Sequence, residues 1–195
     1  MKRALDVVAS ALGLVLTTPL LAVLAVLVRR DSPGPAFFRQ ERVGRDGDLF
    51  RIRKFRTMRT DVGGPGVTTA GDGRITRTGH WLRSTKLDEL PQLINVLEGT
   101  MSLVGPRPEL QEYVDLWPDE DREVILSVRP GVTDPASLQF RREAELLAES
   151  SDPERTYRTV VLPEKVRIYR EYVESQSFLG DLRIILGTLW SVVRD

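Results

Sequence analysis

Hydrophobic and polar positions divide this chain into two unequal parts. Val7 through Val28 form a run of 22 residues without a charge. As one helix the run would be about 33 Å long, against a hydrocarbon core of about 30 Å. Beyond Arg30 the apolar positions come in short periodic groups. Ser32-Pro33-Gly34-Pro35 is a turn cluster. Ala36 to Val43 and Leu49 to Met58 read as strands joined by the Gly44–Asp48 turn, a small β-hairpin. Along the second strand Phe50, Ile52 and Lys54 take one face, and Arg51, Arg53 and Phe55 the other. Asp61 to Gly73 is Gly-rich and predicts a mobile loop. Arg77 to Lys86 and Asp88 to Leu97 read as helices. In the second, Leu87, Leu90, Leu93, Ile94 and Leu97 recur at helical spacing, Pro91 suits a first turn and Gly99 is the stop. Met101 to Val104 reads as a short strand, and from Glu109 the pattern is mainly helical. The fold class is therefore α+β, mainly helical. Residues 1–30 form a membrane helix, and residues 31–195 form one soluble domain.

Three arrangements compete for the N-terminal run. A cleaved signal peptide has the basic start Lys2-Arg3, but no small-residue cleavage site follows the run. A simple transmembrane anchor is the second. The third is a re-entrant helix that enters the membrane, bends and leaves on the same side. Two details favour it. Lys2 and Arg3 precede the segment and Arg29 and Arg30 follow it, and basic flanks stay in the cytoplasm. Pro19, mid-run after Thr17 and Thr18, removes a backbone hydrogen bond and favours a kink, while the threonines can satisfy freed carbonyls. Prolines also occur in helices that span fully. At the other end, Leu179 to Val193 is amphipathic, with Leu182, Ile185, Leu186, Leu189, Trp190 and Val193 on one face. Such a helix packs on the core or lies in the membrane interface.

Composition narrows the chemistry. Lys plus Arg and Asp plus Glu are both 28, so bulk charge gives no case for nucleic acid. There is no cysteine, which excludes disulfides, thiolate metal sites and Cys nucleophiles. His80 is the sole histidine, so a zinc site with two histidines is impossible. The pair Asp88-Glu89 stands at the expected start of a helix, where the dipole favours anions. Arg74, Arg77, Arg83 and Lys86 come before the pair and Arg107 after it. Carboxylates among cations suit a site that handles phosphate and a divalent metal. The spacing allows either carboxylate to act as a nucleophile. Gly105-Pro106-Arg107-Pro108 is a rigid turn that fixes the direction of Arg107.

An ordered set of motifs carries a resemblance. These are Ser32-Pro33-Gly34-Pro35, Phe38-Arg39-Gln40, Arg42-Val43-Gly44, Lys54-Phe55-Arg56-Thr57-Met58, Arg74-Ile75-Thr76, Leu87-Asp88-Glu89-Leu90-Pro91-Gln92 and Met101-Ser102-Leu103-Val104-Gly105-Pro106-Arg107-Pro108. Together they resemble the bacterial sugar transferase family, and within it the small monotopic phosphoglycosyl transferases. The match runs almost end to end and implies a minimal catalytic unit on the cytoplasmic face of the bacterial plasma membrane, held by residues 4–28. It implies transfer of a sugar-1-phosphate from a UDP-sugar to polyprenyl (undecaprenyl) phosphate, releasing UMP. It also implies Mg²⁺, held by Asp88 and Glu89, and a covalent intermediate on Asp88. Lys54, Arg56, Arg83 and Arg107, framed by Pro106 and Pro108, become phosphate clamps, with Arg129 a further candidate. A carboxylate is a competent nucleophile for phosphoryl groups, and cations and a metal offset its repulsion by a diphosphate.

The chain departs from the family pattern at Thr100, where an acidic residue is common, and at Asp72-Gly73, where Asp-Pro is common. Two other classes fit parts of the pattern. A metal-dependent nucleotide-sugar hydrolase shares the carboxylate and the arginines but leaves the membrane segment without a role. A non-catalytic membrane scaffold predicts that Asp88 can become Asn without loss. The sequence leaves a homodimer open and does not name the sugar.

Overall fold

The computed structural model describes residues 2–63 and 67–194, which form a mainly helical fold with two small sheets. Helix α1 (Lys2–Asp31) continues through Pro19. Pro19 cannot donate to the Val15 carbonyl. The neighbouring threonines bond elsewhere: Thr17 Oγ1 donates to the Gly13 carbonyl at 2.7 Å and Thr18 Oγ1 to that of Leu14 at 2.6 Å. One face of α1 lies on the protein through Asp6, Ser10, Leu24 and Val28. Val8, Leu12, Val15, Leu16 and Val23 are exposed, so the helix presents an apolar face to its surroundings. It is long and apolar enough to cross a membrane.

Both ends of α1 are tied to the same domain. At the start, Lys2 Nζ donates to the Val104 carbonyl (2.9 Å), Tyr172 Oη (3.0 Å) and Asp181 Oδ2 (2.6 Å). The buried Asp6 carboxylate accepts from Ser102 Oγ (2.9 Å) and the Leu103 N–H (3.2 Å). At the far end the Arg56 guanidinium donates to the carbonyls of Val28 (3.3 Å), Ser32 (2.7 Å) and Pro33. A cation there meets the negative end of the helix dipole. Leu24 and Val28 bury against Phe55 and Leu82.

Strands β1 (Phe37–Val43) and β2 (Leu49–Phe55) pair antiparallel, Phe37 opposite Phe55 and Val43 opposite Leu49. Asp46 (φ 58°) and Gly47 (φ 84°) make the reversal between them. The second strand ends at Phe55, short of Met58, because Arg56 turns inward to the end of α1. The Gly-rich stretch is anchored where described: Val67 is buried, and the Ala70 N–H donates to the Ala144 carbonyl at 2.8 Å. Gly64 to Gly66 lie outside the described residues.

Helix α2 (Arg77–Ser84) is capped by Thr76 Oγ1, which accepts from the Gly79 N–H at 3.0 Å. The chain then turns through Lys86, a non-glycine residue at φ 56°. Here the structure corrects the expected helix over Asp88 to Leu97. Leu87–Glu89 is a separate single turn, and α3 (Gln92–Glu98) starts only after Pro91. Asp88 and Glu89 therefore sit before the helix rather than in its first turn.

Strand β3 (Ser102–Val104) pairs in parallel with β4 (Gly131–Thr133), which the mainly helical reading beyond Glu109 did not include. A three-residue strand exists only through its partner, so local pattern does not mark it. The crossing is tight. A Cβ at Gly131 would lie 2.1 Å from the Gly105 nitrogen, so only glycine fits. The Gly131 N–H donates to the Pro106 carbonyl at 2.8 Å, which holds the turn carrying Arg107.

Short helices α4 (Gln111–Val114), α5 (Asp119–Leu126), α6 (Pro135–Gln139), α7 (Glu143–Ala148) and α8 (Pro153–Thr156) surround the main core. A widened turn at Tyr157–Val161 leads into α9 (Leu162–Glu174), whose Val166 and Tyr169 pack with Val114, Trp117 and Ile125. Helix α10 (Phe178–Arg194) turns Leu182, Leu186, Leu189 and Trp190 outward, Trp190 being 65% exposed. These four positions of its apolar stripe do not pack on the core. Ile185 is half-buried, and the side chain of Val193 lies outside the described residues.

Candidate active site

Three backbone devices converge on one cleft of about 600 Å³. The end of β2 supplies Lys54. The turn between α2 and α3 supplies Asp88 and Glu89, with Leu87 packed on the cluster that holds α1. The Gly105–Pro108 turn supplies Arg107. Arg83, on the last turn of α2, and Lys86 line the same cleft. Neither has a carboxylate partner within salt-bridge distance among the described residues.

The two carboxylates are in opposite situations. Glu89 Oε1 accepts from Lys54 Nζ at 2.7 Å and from Arg107 Nη2 at 2.9 Å. Burial pushes its carboxyl up, but Lys54, Arg107 and Lys86 outweigh that and hold it well below the usual carboxylate range. The Asp88 side chain is buried, 7% exposed, and makes no hydrogen bond among the described residues. Burial, and then the charge of Glu89, push its carboxyl up to about 6; Lys54, Arg83 and Lys86 offset part of this. Lys54 is lowered by burial and by the nearby Arg107, against the pull of Glu89 and Asp88. Arg107 is raised, first by Glu89. One carboxylate is locked to cations, and its neighbour faces the cleft unpartnered and more basic than an ordinary aspartate.

The structure gathers Lys54, Arg83, Asp88, Glu89 and Arg107. It does not gather every expected residue. Arg56 lines the cleft wall, but its guanidinium is engaged by the end of α1, so its geometry is that of a helix cap. Pro106 and Pro108 are buried and act by framing Arg107. Arg129 lies elsewhere: its Nε donates to the Gly99 carbonyl at 2.7 Å, and it lines a separate crevice with Thr100 and Gly44. The departure at Thr100 thus falls outside the cleft. Two anions escaped the sequence reading as site candidates. Asp134, 1% exposed, lies 3.9 Å from Arg107 Nη1 and caps α6 by accepting from the Ser137 N–H at 2.8 Å. Its Asp-Pro-x-Ser context is a visible helix-start signal. Glu109 accepts from Tyr157 Oη at 3.1 Å, a pairing across 48 positions with no local sign.

Among the described residues no three His, Cys, Asp or Glu side chains cluster as metal ligands. A full protein cage is absent there. Asp88 and Glu89 are the cleft residues that could hold a cation, whose remaining ligands would come from water and substrate phosphate, the habit of Mg²⁺.

A family model described as bacterial sugar transferase matches residues 1–195. The chain belongs to the bacterial sugar transferase family. A UDP-glucose:undecaprenyl-phosphate glucose-1-phosphate transferase of Caulobacter vibrioides is 40% identical over 98% of this chain and 69% of its own length. A protein of the same description from Escherichia coli is 36% identical, and the chain spans only 39% of its length. The exopolysaccharide production protein PSS of Rhizobium leguminosarum is 37% identical over 98% of this chain and 94% of its own. Relatives of this sugar transferase therefore include undecaprenyl-phosphate sugar phosphotransferases. The matched span contains the whole cleft.

Proposed function

We propose that this sugar transferase moves a sugar-1-phosphate from a UDP-sugar to polyprenyl phosphate by double displacement on Asp88. The observation that carries this reading is the unpartnered, basic Asp88 beside a Glu89 locked by Lys54 and Arg107. An Asp88 oxygen attacks the sugar-linked phosphorus, an O–P bond forms, and the bond to UMP breaks. A lipid-phosphate oxygen then attacks the same phosphorus, and the Asp88 oxygen leaves as carboxylate. No proton is needed in either displacement. Arg83, Lys86 and Arg107 offset the charge of the diphosphate, and Arg107 suits bidentate binding. Glu89 positions Lys54 and Arg107. Asp88 and Glu89 would hold Mg²⁺, which supplies further charge neutralisation at the phosphates.

The contacts of α1 support a re-entrant membrane arrangement. Both its ends hold residues 31–195, so a helix crossing to the far side would pull Lys2 and Asp6 from buried partners. A re-entrant path keeps them and puts the catalytic domain on the cytoplasmic face, where the basic flanks belong. The outward stripe of α10 then rests in the membrane interface, with Trp190 at headgroup level.

The test is UMP release by detergent- or nanodisc-held protein with Mg²⁺, a panel of UDP-sugars and undecaprenyl phosphate. Lipid-dependent release that is lost in Asp88→Asn supports the reading. Undiminished release without lipid makes the protein a hydrolase, and undiminished release by the Asn variant removes Asp88 from the chemistry.

A further inference from the structure

A second cleft, of about 400 Å³, adjoins the first along a shared row of cations. Arg42, Arg83, Lys86 and Arg107 line both clefts, while Asp88 and Glu89 line only the first. The second is walled by α6, α7, α9 and α10 and is rich in hydrogen-bonding groups. Its size falls in the range of small-molecule sites. Tyr169 lines it, and the fully buried Tyr169 hydroxyl has no hydrogen-bond partner among the described residues. Such a group is costly unless something pairs with it. Lys165, 5% exposed, also lines it, 2.6 Å from Glu143 Oε2 and 4.9 Å from the Tyr157 ring centre.

Stereochemistry decides what each cleft holds. In-line displacement puts the entering and leaving oxygens on opposite sides of phosphorus. Asp88 enters opposite UMP, and the lipid phosphate later enters opposite Asp88. UMP and the lipid phosphate must therefore use one subsite in turn, while the sugar stays in another throughout. The first cleft is walled by Phe55 and Arg56, the residues that grip the end of α1, so it is the one a membrane lipid reaches. The geometry points to the second cleft as the subsite for the donor's sugar hydroxyls, with Tyr169 and Lys165 as specificity-determining residues. This rests on the transfer proposed above.

The test measures kcat/KM for UDP-hexoses and UDP-N-acetylhexosamines, with the inhibition constant of UMP, in wild type, Tyr169→Phe and Lys165→Met. Loss of one neutral hydrogen bond to a sugar hydroxyl changes the ratio between donors roughly two- to tenfold. The UMP constant and the lipid KM stay within twofold. Tyr169→Phe keeps the shape of the side chain, and its unchanged UMP constant reports an intact fold. Donor ratios that do not move, or a UMP constant that rises in step with donor KM, overturn the assignment. Lipid-independent UMP release whose donor ratios still shift in the variants removes the transferase reading and leaves the sugar cleft standing.

Discussion

Replacing Asp88 with Asn removes a charge the fold holds at a cost. The carboxyl ordinarily titrates near 3.8 and here is pushed up to about 6, chiefly by burial. At about 1.4 kcal/mol per pH unit, keeping it ionised at pH 7 costs ~3 kcal/mol. The sign follows from proton counting. Between pH 4 and 6 the native state binds more protons at Asp88 than the unfolded state, so this residue lowers stability as pH rises through that window. Above it the penalty is constant. Asn resembles the neutral acid in shape and charge, so Asp88→Asn at pH 7 gains most of that energy, a rise in melting temperature of about 6–12 °C for a chain of this size. Thermal unfolding in detergent, followed by circular dichroism in EDTA so that no divalent cation contributes, measures it. The gain shrinks toward zero by pH 4. Turnover is lost in the same variant, the pattern expected where function requires a destabilised site. A variant no more stable than wild type at pH 7, or a gain independent of pH, refutes the claim that Asp88 is held ionised against its surroundings.

Other outcomes follow from the same contacts. Donor kcat/KM falls on acidification as Asp88 takes up its proton, with a midpoint of about 6 in the metal-free site and lower where Mg²⁺ favours the carboxylate, and is flat above it; a rate that does not fall on acidification contradicts an Asp88 nucleophile. Glu89→Gln takes the salt-bridge anion from Lys54 and leaves Arg107 only Asp134, 3.9 Å away, which costs on the order of 3 kcal/mol of stability. It also costs on the order of a hundredfold in kcat through misplaced cations, and an effect on KM alone contradicts the positioning role. Arg56→Met frees the last carbonyls of α1 and lowers stability by ~1–3 kcal/mol with little change in donor KM. A donor KM raised as far as in Arg107→Met would return Arg56 to the phosphate clamps.

Much of this architecture is legible in the chain, for physical reasons. The uncharged run of α1 and the hairpin are local patterns of apolar spacing and turn chemistry. The carboxylates of the cleft are legible because Asp88-Glu89 stands in an ordered motif with Arg107 fixed by two prolines. What the chain hides is partnership. Nothing local marks Gly131–Thr133 as a strand, because its partner lies some thirty residues earlier. Arg56 sits in a motif full of phosphate-binding candidates, yet the end of α1 claims it. The start of α3 slips to Gln92 because Lys86 adopts a left-handed turn that a lysine does not advertise. The spacing of Asp88 and Glu89 leaves their roles interchangeable, and only Lys54 and Arg107 closing on Glu89 separates them. The second cleft is the least legible feature, since its walls come from β1 to α10 and Tyr169 reads as one more core aromatic.

Intact-protein mass spectrometry reads the covalent step on Asp88 without relying on turnover. Wild-type protein is mixed with a UDP-sugar and Mg²⁺ without polyprenyl phosphate, and the acid-quenched chain is weighed and its peptides mapped. An added mass of one sugar phosphate is expected on Asp88, with a matching single burst of UMP. Polyprenyl phosphate then discharges the adduct, and Asp88→Asn never forms it. No adduct while lipid-dependent turnover continues, or an adduct on Glu89, contradicts the double displacement on Asp88.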